Sequence, residues 1–199
     1  MKGVSNESSN TDKMQQHQMS RARNSSDSMR HEDVDLFVCT DLVDQVRTCA
    51  LNSCSSHATV MEVLAANPDD KALVSDVDPQ LLIKVVFKEK VNLTGVMLRF
   101  NRPPEDGEEL YGAPRLVKLF ANSADLDFGD IESIAPVAQY VREGDSEEAK
   151  IFCSGHRFQR LESLQILVEE ASTEEATRSF VNRVSLIGHK ACSYHADYK

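Results

Sequence analysis

The sequence predicts an all-β chain, an antiparallel sandwich with short helical turns only near its start. Three observations carry this reading. Residues 75–100 set two long β-type runs close together, about seven short apolar runs are separated by turn-forming chemistry, and helical spacing is confined to residues 41–66. At 199 residues the chain is long enough for one domain with a proper core and too short for two of ordinary size.

Residues 1–33 are Ser, Asn, Gln, Met and charge with almost no large apolar group, so a disordered tail is expected there. The domain is expected over residues 34–190, opening with Val34, Leu36 and Phe37 and leaving 191–199 as a C-terminal tail. Leu42, Val43, Val46 and Cys49 share the spacing of one helical face, which predicts a short helix or helical turn within Asp41–Leu51. A second is predicted over 55–66, with Ser55 or Ser56 as N-cap, Val60, Met61, Val63 and Leu64 as its apolar side, and Asn67-Pro68-Asp69-Asp70 as its stop. Asp76 and Asp78 precede Pro79, which biases Asp78 toward an extended backbone, so this turn delivers the chain into the sheet.

The central run places Leu81, Ile83, Val85 and Phe87 on one side and Leu82, Lys84, Val86 and Lys88 on the other, the pattern of a sheet covered on one face. Lys88–Leu93 reads as a connector. Val91 and Leu93 then point one way and Val96, Leu98 and Phe100 hold the apolar face beyond Gly95, where a bulge is cheapest. A long polar loop, Asn101–Pro114, carries Glu105, Asp106, Glu108 and Glu109. Val117, Leu119 and Ala121 mark a strand over Arg115–Asn122, and a turn follows through Asp130. Ile131–Val141 is a weaker strand, Ile151–Cys153 a short one, and Arg157–Glu169 a clear one in which Leu164, Ile166 and Val168 alternate with Gln165 and Leu167. The acidic loop Glu169–Glu175 precedes a closing strand, Arg178–Gly188, with Phe180, Val184 and Leu186 on one side.

The net charge is −10, and residues 1–33 are balanced with five basic and five acidic groups, so the rest of the chain holds the whole excess. An acidic domain repels phosphate backbones and anionic lipid, which excludes nucleic acid and membrane as expected partners and favours a basic protein surface. The five cysteines, at 39, 49, 54, 153 and 192, are odd in number and no secretory apolar region precedes them. A reducing compartment, cytosol or nucleus, is therefore expected. No apolar run approaches the roughly 20 residues that a membrane-crossing helix needs.

Chemistry-bearing patterns are few. Cys49, Cys54 and His57 form C-x4-C-x2-H, and His189, Cys192 and His195 form H-x2-C-x2-H, but neither contains a C-x2-C knuckle, and no metal is expected. Asp76 and Asp78 lack the Gly and distal Glu of a calcium loop and read as a turn capping backbone donors. There is no G-x-S-x-G elbow and no phosphate-cradling Gly loop, so neither enzymatic activity nor a cofactor is expected. His156, after Ser154-Gly155, is the loop histidine singled out for inspection.

Five stretches, Cys49-Ala-Leu-Asn-Ser53, Ser75-Asp-Val-Asp-Pro-Gln-Leu-Leu-Ile83, Val117-Lys-Leu-Phe120, Phe158-Gln159 with the run to Val168, and Glu174-Glu-Ala-Thr-Arg178 continuing to Ile187-Gly188, stand in an order that resembles the PITH domain, the proteasome-interacting thioredoxin-type module. The resemblance spans about residues 35–190. It implies a jelly-roll sandwich of the galactose-binding-like type and association with the proteasome regulatory particle. The chain departs from the better-known architecture in having no Cys-x-x-Cys pair, and is similar to stand-alone members without a thioredoxin domain.

The expected function is thus a non-enzymatic, monomeric adaptor for the regulatory particle, the alternative being a small-ligand or carbohydrate-binding sandwich. The absence of Trp argues against the alternative, because sugar faces stack on flat rings. Candidate partner-binding residues are Glu105, Asp106, Glu108, Glu109, Glu174, Glu175 and Arg178, the carboxylates standing in loops with no neighbouring lysine and Arg178 either pinning Glu174 or Glu175 or facing the partner.

Overall fold

Strand β4 (Leu81–Arg99) is one continuous element of 19 residues, where the sequence suggests two strands and a connector. We describe it and the rest of the chain from a computed structural model, over residues 32–65, 71–105 and 110–192. The expected N-terminal tail up to residue 31 and the Asn67–Asp70 turn lie outside the described residues. Before β4 come β1 (Val34–Asp35), β2 (Cys49–Leu51), helix α1 (Val60–Leu64) and β3 (Leu73–Val74). After it come β5 (Tyr111–Gly112), β6 (Pro114–Ala121), β7 (Ala138–Val141), β8 (Glu148–Phe152), a 3-10 turn at His156–Phe158, β9 (Leu161–Ala171), β10 (Arg178–Val181) and β11 (Arg183–Lys190).

The first half of β4 pairs with β2 and β9, and β9 continues through β6 to β7. The second half pairs with β8 on one side and β11 on the other, with β1 beyond β11. One strand therefore belongs to both leaves of a β-sandwich. Their inward side chains form a common core: Ile83, Val85, Val117, Leu119, Leu164 and Ile166 from the first leaf meet Val96, Leu98, Ile151, Val184 and Leu186 from the second. The inward phase read from the sequence holds in both halves.

A bulge restores that phase. Ile187 faces Gly95 but Gly188 faces Leu93, so Thr94 is the extra residue, and its hydroxyl donates to the Ile187 carbonyl at 3.3 Å. The break falls one residue before Gly95, where an added Cβ would meet nothing nearer than 3.8 Å. The glycine that the bulge requires is Gly188, whose Cβ would lie 2.1 Å from the Asn92 carbonyl oxygen.

The middle of β4 is covered by residues 42–48. Asp44 N–H donates to Val86 O at 2.8 Å, Lys88 N–H to Leu42 O at 2.8 Å, and Val86 N–H to the buried Thr48 hydroxyl at 3.1 Å. Of the short helix or helical turn expected over Asp41–Leu51, a single turn forms, in which Thr48 N–H donates to Asp44 O at 3.0 Å. The helical face does not exist, since Val43 is buried while Val46 is 95% exposed; the backbone of a bending strand needs partners, and tertiary pairing outweighs a weak local spacing. Helix α1 does form, but Thr59 rather than Ser55 or Ser56 caps it, through a reciprocal Thr59–Glu62 capping box. Its five residues bury Val60, Val63 and Leu64.

The first leaf is covered on both faces, not on one as its half-polar pattern suggests. Leu82, Leu167 and Phe120 form a second buried cluster with Leu126, closed by Phe128 and Ile131 from the turn after β6. The weaker run Ile131–Val141 contributes only β7, and the closing run divides into β10 and β11 around the buried Asn182. The side chain of Asn182 donates to Arg102 O at 2.8 Å and accepts from Arg102 N–H at 3.1 Å, which anchors the start of the acidic loop. No helix of the described residues is long and apolar enough to cross a membrane.

Gly188→Ala is expected to destabilise the protein by about 2–3 kcal/mol, because backbone must move, whereas Gly95→Ala should change stability by less than about 1 kcal/mol. Urea unfolding of the two variants checks the bulge assignment. Ile83→Ala and Ile166→Ala, each removing a fully buried side chain, should cost about 2–5 kcal/mol apiece in the same assay.

Candidate functional site

A three-stranded sheet, β3-β10-β5, sits where both ends of β4 arrive. Ser75 N–H, ahead of β4, donates to Ser179 O at 3.0 Å, and Asn182 N–H donates to Arg99 O, the last residue of β4, at 2.8 Å. Strands β5 and β10 run parallel, with Arg178 opposite Tyr111 and Ser179 opposite Gly112. Thr177 N–H reaches back to Leu110 O at 2.9 Å and Ser172 N–H to Ala113 O at 2.8 Å. Leu110 and the turn 172–177 are therefore laced side by side, although more than 60 residues separate Leu110 from Thr177 in the chain.

Glu174 and Glu175 are exposed on that turn, and Glu105 is exposed at the start of the other loop. Asp106, Glu108 and Glu109 lie outside the described residues. The charge density expected of 169–175 is partly cancelled: β9 runs on to Ala171, so Glu169 and Glu170 are strand residues and pair with Lys118 and Arg115 of β6. The expectation of carboxylates without basic neighbours is corrected there, because cross-strand register supplies cations that sequence proximity does not.

Arg178 turns toward the segment between β2 and α1, placing Nη1 3.5 Å from Cys54 Sγ. Sγ lies 3.2 Å from the Ser56 hydroxyl, which is 3.1 Å from His57 Nδ1. The His57 ring meets Tyr111 of β5 edge-on at 6.2 Å. Cys54 is held in place by its N–H, which donates to Val74 O at 2.8 Å, and by the neighbouring Ser53–Ser75 bridge. Hydrogen bonding from Ser56, side chain first and then backbone, followed by His57, lowers the Cys54 thiol to about 7 against a small opposing effect of burial. Cys153, in contrast, is pushed up to about 12 by burial. In the ionised state Ser56 donates to the sulfur and can accept from His57, so the thiol proton has a path through a hydroxyl to an imidazole.

Of Asp76 and Asp78, the Asp78 carboxylate caps the turn, and Asp76 joins it through its N–H, which donates to Asn52 O at 3.0 Å. Asp78 accepts from Gln80 N–H at 2.8 Å, and Asn52, at a positive φ of 56°, donates to Asp78 and to Gln80 O while accepting from Val77 N–H at 3.0 Å. His156 is an exposed residue of the 3-10 turn. His189 is engaged structurally: Nδ1 lies 2.7 Å from Asp33 and Nε2 3.2 Å from the Asn92 amide, beside the β4 bulge. Among the described residues no group of three His, Cys, Asp or Glu side chains converges as a metal site; His195, proposed from sequence alongside His189 and Cys192, lies outside them.

Alkylation of Cys54 by iodoacetamide is expected to rise with a midpoint near pH 7, since the reactive thiolate is populated above its lowered value and lost below it. Peptide-resolved labelling against pH checks this; a midpoint in the ordinary thiol range would contradict the assigned hydrogen bonds.

Residues 30–196 match the PITH domain. A putative chitobiase fragment from Bacteroides thetaiotaomicron superposes with a TM-score of 0.56 at 8% identity, over 85% of this chain and 99% of that one. The lectin domain of lectinolysin complexed with Lewis B antigen gives 0.49 at 11% identity over 78% and 97%, and the family 32 CBM of C. perfringens NanJ in complex with galactose gives 0.45 at 10% over 73% and 98%. No curated protein sequence matches. At such identities the likeness speaks for fold alone, a galactose-binding-like β-sandwich. With all of its described residues inside the matched range, the chain belongs to the PITH domain family.

Proposed function

We propose that this chain is a monomeric protein-interaction module whose loop end docks on a basic surface of the proteasome regulatory particle, in the cytosol or nucleus. The family match supports a binding role over a catalytic one. The observation that carries the location is the lacing of Leu110, just before β5, to the turn of Glu174 and Glu175 by the Thr177–Leu110 hydrogen bond and the β5–β10 pairing. Through it, Leu110 and the turn bearing Glu174 and Glu175 present one surface. Leu110, 59% exposed, stands at the junction. An apolar contact rimmed by charge is a common interface arrangement, the rim steering encounter and the apolar contact slowing release.

Glu174→Lys combined with Glu175→Lys is expected to slow association with purified regulatory particle roughly tenfold at low salt, with a smaller effect at moderate salt, because screening removes the steering. The melting temperature should stay unchanged, since both side chains are exposed. Unchanged association kinetics in the folded variant would move the interface away from this end. Binding to immobilised galactose, unaffected by the charge reversal, would support the small-ligand or carbohydrate-binding alternative instead.

A further inference from the structure

We infer that the free edge of β8 is a second interaction surface, which takes an extended segment of a partner protein as an added strand, with a lysine or arginine where that segment meets the turn 142–147. Strand β8 pairs with β4 alone. Phe100 N–H donates to Glu147 O at 2.8 Å and Cys153 N–H to Thr94 O at 2.9 Å, so Ala149 and Ile151 exchange bonds with β4, and the main-chain groups of Glu148, Lys150 and Phe152 point away from it. Those of Glu148 are satisfied: its carbonyl accepts from the Ser146 hydroxyl at 2.7 Å and the Tyr140 hydroxyl at 3.2 Å, and its N–H donates to Ser146 Oγ at 3.3 Å. The outward N–H and C=O groups of Lys150 and Phe152 pair with no main-chain group among the described residues.

Exposed strand edges are ordinarily blunted by a proline, a bulge or an unpaired charge. Strand β8 has no proline and no register shift, and its lysine is held by Glu148 at 2.8 Å. Phe152, 84% exposed, is the one aromatic among the large apolar side chains that the described residues leave exposed. Gly95 stands opposite it on β4, and with Met97 and Ile187 the two line an apolar hollow of about 370 Å3 on the outer face of the second leaf. The first leaf closes its outer cluster with its own Phe128 and Ile131, whereas no described residue closes this hollow. On the other flank a groove of about 560 Å3 is lined by Lys150 and by the exposed Val141 of β7. A strand laid along β8 thus finds room for its backbone, and a residue of it opposite Phe152 finds an apolar neighbour.

The charge of the segment follows from the turn that enters β8. Glu143, Asp145 and Glu147 are exposed on it. Its own cation is committed elsewhere: Arg142 Nε donates to Ser146 O at 2.8 Å, and the guanidinium stands 5.9 Å from the centroid of the Phe100 ring. Three carboxylates therefore face solvent at the closed end of the edge, where they favour a basic residue on the incoming segment and steer it there. A second copy of the chain fits less well, because two molecules of net charge −10 repel each other. The surface shares no residue with Leu110, Glu174 or Glu175, so its occupation does not depend on docking of the loop end.

The test uses the full chain and a pair of end-capped probe peptides of alternating threonine and valine, one with lysine at its first position and the other with lysine at its last, which between them cover both strand directions. Amide hydrogen exchange, read residue by residue by NMR, should slow at Lys150 and Phe152 by about tenfold or more when one of the peptides is saturating, and stay unchanged at Ala149 and Ile151, which are bonded to β4 already. N-methylation of that peptide at alternate residues should weaken binding about tenfold in one phase and little in the other, since only one set of its amides faces β8. Phe152→Ala should weaken binding about fivefold, and Glu143→Lys with Asp145→Lys about threefold at low salt, with the melting temperature unchanged because all three side chains are exposed. Binding of neither peptide, or equal binding of both methylated forms, overturns strand addition. Binding indifferent to the charge reversal overturns the assigned chemistry of the partner, and a dimer in sedimentation that protects the same amides without peptide assigns the edge to a second copy instead. No variant touches Glu174 or Glu175, so a failure here is distinguishable from a failure of loop-end docking.

Discussion

The length of β4 is the constraint on which the remaining structure depends. Nineteen residues in a straight strand would extend about 60 Å at 3.3 Å per residue, whereas a domain of this size is roughly 40 Å across. The strand must bend, and bending takes it from one leaf into the other. Every backbone group along it still needs a partner. Residues 42–48 supply partners at the middle, the Thr94 bulge resets the inward phase, and the absence of a side chain at Gly188 lets β11 follow closely. Cross-leaf continuity also explains why a single core joins Ile83 to Leu98.

Bringing both ends of β4 to one region has a functional consequence. The short sheet β3-β10-β5 joins them, and the loops between its strands become neighbours. Asn182 ties the first of these loops to the β10–β11 junction, and Asn52 ties the turn before β4 to the end of β2. Acidic surface, exposed Leu110 and the Cys54 thiol are consequently mounted on a hydrogen-bonded platform. What this chain places at these loops is charge and a thiol.

Charge at this end cannot be judged by counting residues. Glu169, Glu170, Glu174 and Glu175 look like one acidic run, yet the first two lie in a strand and form ion pairs with Lys118 and Arg115 of the neighbouring strand. The latter two lie beyond the end of β9 and remain exposed. A strand boundary divides structural ion pairs from surface available to a partner. The same holds for histidine: His57 joins a thiol cluster, whereas His189 braces the β1 entry and the bulge through Asp33 and Asn92.

The sandwich and the inward faces of its main strands were legible in the sequence, because a period of two survives in Ile83, Val85, Leu164, Ile166, Val184 and Leu186 whatever they pack against. The phase break near Gly95 and the capping turn at Asp78 were legible for the same local reason. The single span of β4, the pairing of residues 42–48 with it and the second buried cluster under Leu82 were not, since each depends on partners distant in the chain. The site divides likewise. Cys54, Ser56 and His57 stand within four residues, so their proximity was visible though their hydrogen bonding was not. Arg178 reaches Cys54 across 124 residues of sequence. Local periodicity and turn chemistry are written residue by residue in the chain, but the charge that meets a given sulfur is chosen only when the strands close, because electrostatic contact depends on distance in space and not on distance along the backbone.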